Sequence, residues 1–227
     1  MSYKPDEEFD YFLEKFGLPE FSEAVPDKVF EKYRGKLPEQ LFIYWREYGF
    51  CTFKKGLFSL VNPDDYHHLM TEWIHRTEAF KEDSFHVIAR SGFGDLFLWG
   101  EKAGDSYIIE SKDSCLYKTD GYPDLISKGQ ENKAVQFFFG SKSPEDIDLK
   151  DAETGGGIFN QAVKKYGPLK ADEMFTFAPA LFLGGEKIIG NIKKENVYIQ
   201  LDILAKMGVP EILDLDTLTK RAFGVDS

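Results

Sequence analysis

The hydrophobic period of this chain changes near Phe85, and this change limits the folds that the chain can adopt. Before Phe85, apolar residues recur every three or four positions, as they do on one face of an amphipathic helix. Beyond it, runs with a period of two lie at residues 85–90, 96–99, 106–109 and 114–117. Turn residues separate these runs, so we predict short strands that pair with their sequence neighbours as an antiparallel meander.

Local start and stop signals bound the helices before the meander. Gly17 and Gly49 each follow an apolar stripe, and glycine takes the left-handed conformation that ends many helices. Pro38 suits a first helical turn, and Asn62 is a good N-cap residue with Pro63 behind it. The predicted helices are 9–16, 25–33, 38–48 and 64–73, with a strand at 56–61.

The chain beyond the meander mixes helical and extended patterns. Residues 122–140 predict one or two helical pieces. Residues 141–157 are mostly charged, with Ser143-Pro144 and Gly155-Gly156-Gly157 as turn signals. The predicted elements that follow are helices at 158–166, 196–207 and about 215–221, and strands at 174–177, 180–183 and 187–192.

This order of elements is typical of an α+β protein, because helices come first, an antiparallel sheet next and a mixed unit last. We therefore predict an α+β fold with N-terminal helices packed on an antiparallel sheet and a smaller C-terminal mixed α/β unit. The charged segment at 141–157 predicts the division, which gives domains at residues 1–140 and 141–227. A length of 227 residues is also compatible with one large domain.

Charge and cysteine content limit the classes of partner. The net charge is −11, whereas binding to a nucleic-acid backbone requires clustered Lys and Arg. We therefore expect no nucleic-acid partner, and the acidity either attracts a basic partner or only keeps the protein soluble. Cys51 and Cys115 are too few for a disulfide framework and have no CxxC spacing, so we expect reduced core residues.

The sequence also predicts a cytoplasmic protein without a membrane partner. No run approaches the ~18 apolar residues that a membrane-spanning helix needs. Residues 1–8 contain no apolar stretch of the kind found in signal peptides.

The polar residues do not combine into a catalytic set. The four histidines lie between positions 67 and 86, and no Gly-x-Ser-x-Gly motif is present. The segment Gly92-Phe93-Gly94-Asp95 lies between two predicted strands and lacks a following Lys-Ser/Thr pair, so it predicts a turn rather than a phosphate site. We therefore expect neither enzymatic activity nor a cofactor.

A metal site has one candidate. His68, Glu72 and His75 would lie near one face of the helix at 64–73 if that helix continued by a turn. Their spacing is not that of HExxH, and surface helices often carry such residues. We therefore expect no metal, with these three side chains as the alternative.

Four segments resemble known protein families. The segments similar in order and spacing to the GAD-like domain are 33–50, 56–66 with Trp73, and 88–100. Residues 167–185 and 201–208 resemble the C-terminal domain that follows it in immunity proteins of type VI secretion systems. The pattern Leu-Pro-x-x-Leu-x-x-Tyr-Trp-x-x-Tyr-Gly at 37–49 also resembles the SUKH group of immunity proteins. One departure is Gly92, where the family more often has a small residue such as alanine.

The resemblance implies a protein that binds and neutralises a secreted antibacterial toxin, notably a DNase, inside the cell that makes the toxin. It implies inhibition by occlusion of the toxin's active or substrate-binding surface, without catalysis. The alternative is an RNA- or tRNA-associated module, because the GAD domain takes its name from an insert in tRNA-charging enzymes. The net charge of −11 weighs against that alternative.

Two acidic segments are candidate contact sites for a nuclease toxin. The densest stretch, relieved only by Lys150, consists of Glu145, Asp146, Asp148, Asp151 and Glu153. Exposed carboxylates could imitate the phosphates that a nuclease binds, and we predict that this stretch contacts the toxin; the alternative is a solvated linker. A second candidate rim consists of Asp113, Asp120, Tyr122 and Asp124.

Other prominent residues have structural explanations. Arg90 and Asp95 flank the predicted turn, so they either pair across it or leave Arg90 to contact a partner. Trp45, Trp73 and Trp99 lie in the segments that define the fold, and we predict that all three are in the core.

Overall fold

The structure is a computed structural model that describes residues 6–224. The helices are α1 (Glu7–Phe16), α2 (Asp27–Tyr33), α3 (Glu39–Tyr48), α4 (Pro63–Ile74), α5 (Pro123–Ser127), α6 (Glu131–Ser141), α7 (Pro144–Ile147), α8 (Ile158–Tyr166), α9 (Val197–Met207) and α10 (Leu215–Phe223). The strands are β1 (Phe21–Glu23), β2 (Phe50–Phe53), β3 (Phe58–Leu60), β4 (Phe85–Ser91), β5 (Leu96–Gly100), β6 (Gly104–Glu110), β7 (Cys115–Lys118), β8 (Glu173–Phe177), β9 (Ile192–Asn196) and β10 (Glu211–Leu213). Most of the segment used to exclude a signal peptide, residues 1–5, lies outside the described residues.

One large sheet organises the molecule. Its eight strands follow the order β1-β2-β3-β4-β5-β6-β7-β10, and β8 pairs with β9 in a separate two-stranded sheet. Consecutive strands from β1 to β7 are antiparallel, whereas β10 adds to β7 in parallel. The predicted antiparallel meander and the α+β class are therefore confirmed.

Both faces of the large sheet are buried. On β5, Phe97 and Trp99 belong to one hydrophobic cluster, while Leu96 and Leu98 belong to the other. The first cluster includes residues of α1, α3 and α6, and the second includes residues of α4 and α9. Side chains that alternate along a strand point to opposite faces, so helices cover the sheet on both sides.

Both hydrophobic clusters contain residues from either side of position 141. Phe159 and Phe175 pack in the cluster beneath the N-terminal helices, and Leu201 packs in the cluster around α4. The last strand also joins the large sheet, with Ile212 opposite Leu116. The C-terminal segment thus shares its core with the N-terminal segment, and the domain division at residue 141 stays a prediction.

The predicted C-terminal ends of α1 and α3 and the predicted N-cap of α4 are confirmed, whereas α1, α2 and α3 begin at Glu7, Asp27 and Glu39 rather than at residues 9, 25 and 38. Gly17 and Gly49 terminate α1 and α3 with φ values of 81° and 72°. A Cβ atom on Gly49 would lie 2.3 Å from the carbonyl oxygen of Glu23, so glycine also lets β1 approach α3 closely. At the start of α4, the Asn62 side chain accepts a hydrogen bond from the Asp64 N–H at 3.2 Å.

Two predicted strands in the C-terminal segment are wrong. Residues 181–183 and 189–191 form short 3-10 turns, and the partner strand of β8 begins only at Ile192. The carbonyl of Ala180 accepts hydrogen bonds from the N–H groups of Leu183 and Gly185 at 2.9 and 3.0 Å. These local bonds use backbone groups that an extended strand would present to a neighbour.

The predicted core aromatic residues are confirmed, because Trp45, Trp73 and Trp99 are each 1% exposed. Cys51 and Cys115 are buried and free, as expected. Over residues 6–224, none of the helices has the length and apolar character needed to cross a membrane.

Candidate functional site

Part of the predicted acidic stretch lies on the surface. Glu145 and Asp146 are exposed on α7, and Glu153 is exposed on the loop that follows. The Ser143 hydroxyl oxygen accepts the Asp146 N–H at 3.2 Å, and the hydroxyl donates to Asp146 Oδ2 at 2.6 Å. This cap fixes the short helix, so Glu145 and Asp146 face solvent from a defined backbone.

Two other members of the stretch are engaged with the backbone. Asp148 is half-buried, and its Oδ1 accepts the N–H groups of Leu149 and Phe159 at 2.7 and 2.8 Å. Burial raises the pKa of Asp148, although the backbone N–H groups oppose that rise. Because Phe159 lies in the first turn of α8, Asp148 helps to hold the start of that helix.

Asp151 contradicts the expectation that the whole stretch is exposed. The residue is only 2% exposed. Its Oδ2 accepts the Ile189 N–H at 2.8 Å, while Oδ1 accepts the N–H groups of Glu153 and Thr154 at 3.0 and 2.9 Å. Backbone hydrogen bonds from Ile189 and Thr154 lower the pKa of Asp151. An ionised carboxylate can accept several backbone hydrogen bonds at once, which explains why an acidic residue is buried here.

Replacement of Asp151 by asparagine is expected to lower the melting temperature at pH 7 by several degrees. The amide NH2 group cannot accept one of the backbone N–H groups that the carboxylate accepts. The folded-state pKa is depressed, so this stabilisation is present above the ordinary Asp pKa of about 3.9 and is lost as pH falls through the folded-state value. The melting temperatures of the parent and of Asp151→Asn, measured from pH 7 to pH 2, should therefore converge at the acidic end. A Glu153→Gln control should melt at the same temperature as the parent. If Asp151→Asn also melts at the parent's temperature at pH 7, the structural role of Asp151 is contradicted.

A groove adjoins the acidic stretch. Its volume is about 250 Å³, and its lining includes Glu145 and Asp148 together with Glu20, Lys54 and Lys55. The acidic stretch therefore does not stand alone, because two lysines of the N-terminal segment share its groove. These lysines lie about ninety positions earlier in the sequence, so only the fold brings them beside the acids.

The second predicted rim is only partly assembled. Asp113 and Asp120 lie beyond opposite ends of β7, whose ends are roughly 10 Å apart at about 3.3 Å per residue. Asp113 Oδ2 lies 3.8 Å from Lys112 Nζ. Asp124 is exposed on α5, while Tyr122 is half-buried with its ring centroid 6.0 Å from that of Phe137. Burial raises the pKa of Tyr122.

The structure gives Asp120 acidic neighbours that the sequence did not indicate. Asp120, Asp214 and Asp216 line one shallow surface depression. The Asp214 side chain caps α10 by accepting the Thr217 N–H at 2.7 Å, and hydrogen bonds from Thr217 lower the pKa of Asp214. Pairing of β10 with β7 brings these residues together, and no local pattern in the sequence could have predicted it.

The three candidate metal ligands are not brought to one site. His75 lines a groove that also contains His67 and Phe80, whereas His68 and Glu72 do not line it. The His75 ring centroid lies 4.8 Å from the Phe80 centroid in an edge-on contact. Among residues 6–224, no three His, Cys, Asp or Glu side chains are arranged to hold a metal ion.

Arg90 has a structural role, but the predicted pair with Asp95 is wrong. Arg90 is fully buried, and its guanidinium donates to the carbonyl oxygens of Ala171 and Ser91 at 2.8 and 3.2 Å. Asp95 instead accepts a hydrogen bond from Lys112 Nζ at 2.7 Å. Arg90 thus joins β4 to the segment that leads into β8.

The predicted turn between β4 and β5 is confirmed, and it connects several elements. The Gly92 N–H donates to the Leu57 carbonyl and the Gly92 carbonyl accepts the Phe175 N–H, both at 2.8 Å. A Cβ atom at Gly92 would lie 2.5 Å from a ring carbon of Phe159 and 2.7 Å from the Gly56 carbonyl oxygen. Close packing therefore accounts for glycine at this position in this chain.

Comparisons with known proteins agree with the resemblance seen in the sequence. The model of the GAD-like domain matches residues 7–113, and the model described as T6SS immunity protein Tdi1, C-terminal, matches residues 132–208. The crystal structure of Atu4351 from Agrobacterium tumefaciens has the same fold, with a TM-score of 0.77, 20% sequence identity, and coverage of 91% of this chain and 92% of that chain. No functionally curated protein matches the chain. The two family matches occur in the predicted order, so a GAD-like domain is followed by a domain of the Tdi1 C-terminal type, which is described from a T6SS immunity protein.

Proposed function

We propose that this immunity protein binds a cognate antibacterial nuclease in the cell that produces it and blocks the nuclease's active or substrate-binding surface. The observation that carries the proposal is the match to the T6SS immunity protein Tdi1 C-terminal domain over residues 132–208. That region contains the groove acids Glu145 and Asp148 and the exposed Asp146 and Glu153. The proposed mechanism is occlusion, without chemical change to the toxin.

Charge complementarity supports a nuclease as the partner. A nuclease must bind a phosphate backbone, and phosphate binding places Lys and Arg around the cleft. The immunity protein carries a net charge of −11 and presents Glu145, Asp146 and Glu153 on its surface. Such carboxylates attract a basic cleft over distances of about a Debye length, ~8 Å at physiological salt. They therefore accelerate association, whereas the lifetime of the complex depends on close packing.

Coexpression with the toxin encoded by the neighbouring gene is expected to restore growth and yield a complex that copurifies at fixed stoichiometry. Binding without catalysis predicts protection proportional to the molar ratio of immunity protein to toxin. The measurement is colony survival together with size-exclusion chromatography of the coexpressed pair. Protection at a small fraction of the toxin concentration would indicate catalysis, and the absence of both protection and copurification would contradict the proposed function.

Removal of the three exposed charges of the acidic stretch is expected to slow association with the toxin about tenfold at low salt. The variant is Glu145→Gln with Asp146→Asn and Glu153→Gln, and it leaves the engaged residues Asp148 and Asp151 intact. Its melting temperature should stay within about a degree of the parent's, because exposed charges contribute little to stability. Stopped-flow or surface plasmon resonance at several salt concentrations gives the association and dissociation rates.

A charge-matched control separates local contact from loss of net charge. The control replaces Glu31, Glu39 and Glu47 by Gln, since all three are exposed on α2 and α3. If this control slows association as much as the variant of Glu145, Asp146 and Glu153 does, only net charge matters and the acidic stretch is not a contact site. In that case Asp120, Asp214 and Asp216 are the next group to test.

A further inference from the structure

Two neighbouring lysines occupy an unusual backbone conformation at the edge of the groove. Lys54 and Lys55 have φ values of 47° and 60°, and Gly56 continues the left-handed run with a φ of 91°. Side chains other than glycine or asparagine enter this region at a cost, because Cβ crowds the backbone. Strain of this kind persists only where the surrounding structure imposes it, and it is concentrated at functional sites.

Backbone contacts on both sides impose this conformation. The Lys55 N–H donates to Glu20 Oε2 at 3.1 Å, and the Lys55 carbonyl accepts the Leu169 N–H at 3.0 Å. A Cβ atom on Gly56 would lie 2.6 Å from the Leu169 Cβ atom, so the turn is pressed against the C-terminal segment. These contacts involve the backbone of the turn and would also form with glycine or asparagine at positions 54 and 55.

The ammonium groups of the two lysines have no polar partner within the described part of the fold. Both residues are exposed and line the groove, and neither ammonium group makes an ion pair or hydrogen bond with residues 6–224. No polar contact among residues 6–224 therefore offsets the strain of placing lysine there. A contact outside the chain supplies a physical reason for lysine at both positions.

We infer that Lys54 and Lys55 bind carboxylates of the toxin in this groove. In the same groove, Glu145 faces basic residues of the toxin. The inference rests on the proposed function and specifies its chemistry. Nucleases that use metal ions hold those ions on carboxylates, within a cleft whose Lys and Arg bind phosphate. A groove that combines Glu20, Glu145 and Asp148 with two unpaired lysines is complementary to both kinds of charge. The three acids in the groove and the net charge of −11 disfavour a nucleic acid as its occupant.

Two double variants separate the charge of the lysines from their backbone strain. Lys54→Gln/Lys55→Gln keeps side chains of similar shape and removes both charges, so it should leave the melting temperature unchanged and raise the Kd for the toxin about 10- to 100-fold. Lys54→Gly/Lys55→Gly also relieves the strain, so it should weaken binding equally while raising the melting temperature by a few degrees. Lys54→Arg/Lys55→Arg keeps both charges and should retain most of the affinity. A matched control, Lys28→Gln/Lys128→Gln, removes two exposed charges elsewhere and should bind like the parent.

The measurements are isothermal titration with the intact toxin, made inactive by a substitution that leaves its metal-binding carboxylates in place, and thermal melting of each variant. Unchanged affinity in the Gln and Gly variants, with the parent still binding, would overturn this inference alone, whereas failure of the parent to bind would contradict the proposed function. A lower melting temperature in the Gly variant would show that lysine contributes to the fold and would also overturn the inference. Binding of a short fluorescein-labelled DNA duplex that the Gln variant abolishes would assign the lysines to nucleic acid instead.

Discussion

Replacement of Trp45 by alanine is expected to lower the free energy of unfolding by about 3–5 kcal/mol, as for other large aromatic residues in packed cores. Trp45 is 1% exposed, and its ring centroid lies 5.5 Å from that of Phe42 and 5.2 Å from that of Phe50. Truncation would leave a cavity between α3 and the start of β2 and remove both ring contacts. Chemical denaturation followed by circular dichroism measures the loss.

A Trp45→Phe variant is the matched control, because it keeps an aromatic ring in the same place. The indole Nε1 has no hydrogen-bond partner among residues 6–224, so the smaller ring removes no hydrogen bond. The phenylalanine variant should therefore lose clearly less stability than the alanine variant. A loss below about 1 kcal/mol for Trp45→Ala would contradict the core assignment.

Replacement of Lys112 by methionine is expected to cost about 3–5 kcal/mol, because it leaves the buried Asp95 carboxylate without its cation. The two side chains are 10% and 12% exposed, and Lys112 Nζ lies 2.7 Å from Asp95 Oδ1. Asp95 Oδ2 also accepts the Ser91 hydroxyl at 2.9 Å, which ties the ion pair to the turn between β4 and β5. Methionine keeps most of the volume of lysine, so the loss of stability reports the missing charge rather than a cavity.

The double variant Lys112→Met/Asp95→Asn provides the test of that explanation. Asp95→Asn removes the buried carboxylate that loses its ion-pair partner in Lys112→Met, so the double variant should be more stable than Lys112→Met alone. Burial lowers the pKa of Lys112, but the neighbouring Asp95 and Glu110 carboxylates outweigh burial and raise it. A raised lysine pKa means that its stabilisation is present at neutral pH and lost only in strongly alkaline solution. Urea titrations at pH 7 and pH 9 should therefore give the same loss, and a double variant less stable than the single would contradict the account.

These stability residues are separate from the proposed contact residues, and that separation makes the binding experiments interpretable. Trp45 and Lys112 are buried, so their variants test the fold. Glu145 and Lys54 are exposed on the groove, so their substitution should affect the toxin complex with little loss of stability. Asp151 belongs with the first group despite its place in the acidic stretch.

Local signals predicted much of the fold because they act through nearby backbone groups. Gly49 ends α3 and Asn62 caps α4 through interactions within a few residues, which a sequence pattern can contain. The strands of the meander were also predictable, since tight turns join each strand to the next. Family resemblance then added the order of the two domains, which the family matches confirm.

Elements that depend on distant partners were missed or misplaced. β1 and β10 each contain three residues and exist because they pair with β2 and β7, which lie far away in the sequence. Residues 181–183 have an apolar composition compatible with a strand, but the N–H groups of Leu183 and Gly185 donate to the Ala180 carbonyl instead of to a neighbouring strand. Propensity cannot decide between these outcomes, because the decisive hydrogen bonds form only in the folded chain.

The α+β class, the glycine stops of the helices, the buried tryptophans and the acidic balance follow from the amino-acid sequence alone, because periodicity, capping residues and charge are local or additive properties. Which acids are available to a partner depends on the tertiary structure. Asp146 and Asp151 lie in the same charged segment and have no local signal that separates them. Asp146 faces water, whereas Asp151 accepts three backbone N–H groups. The groove that joins Lys54 and Lys55 to Glu145 likewise depends on contacts between segments about ninety residues apart, and a sequence pattern does not contain those contacts.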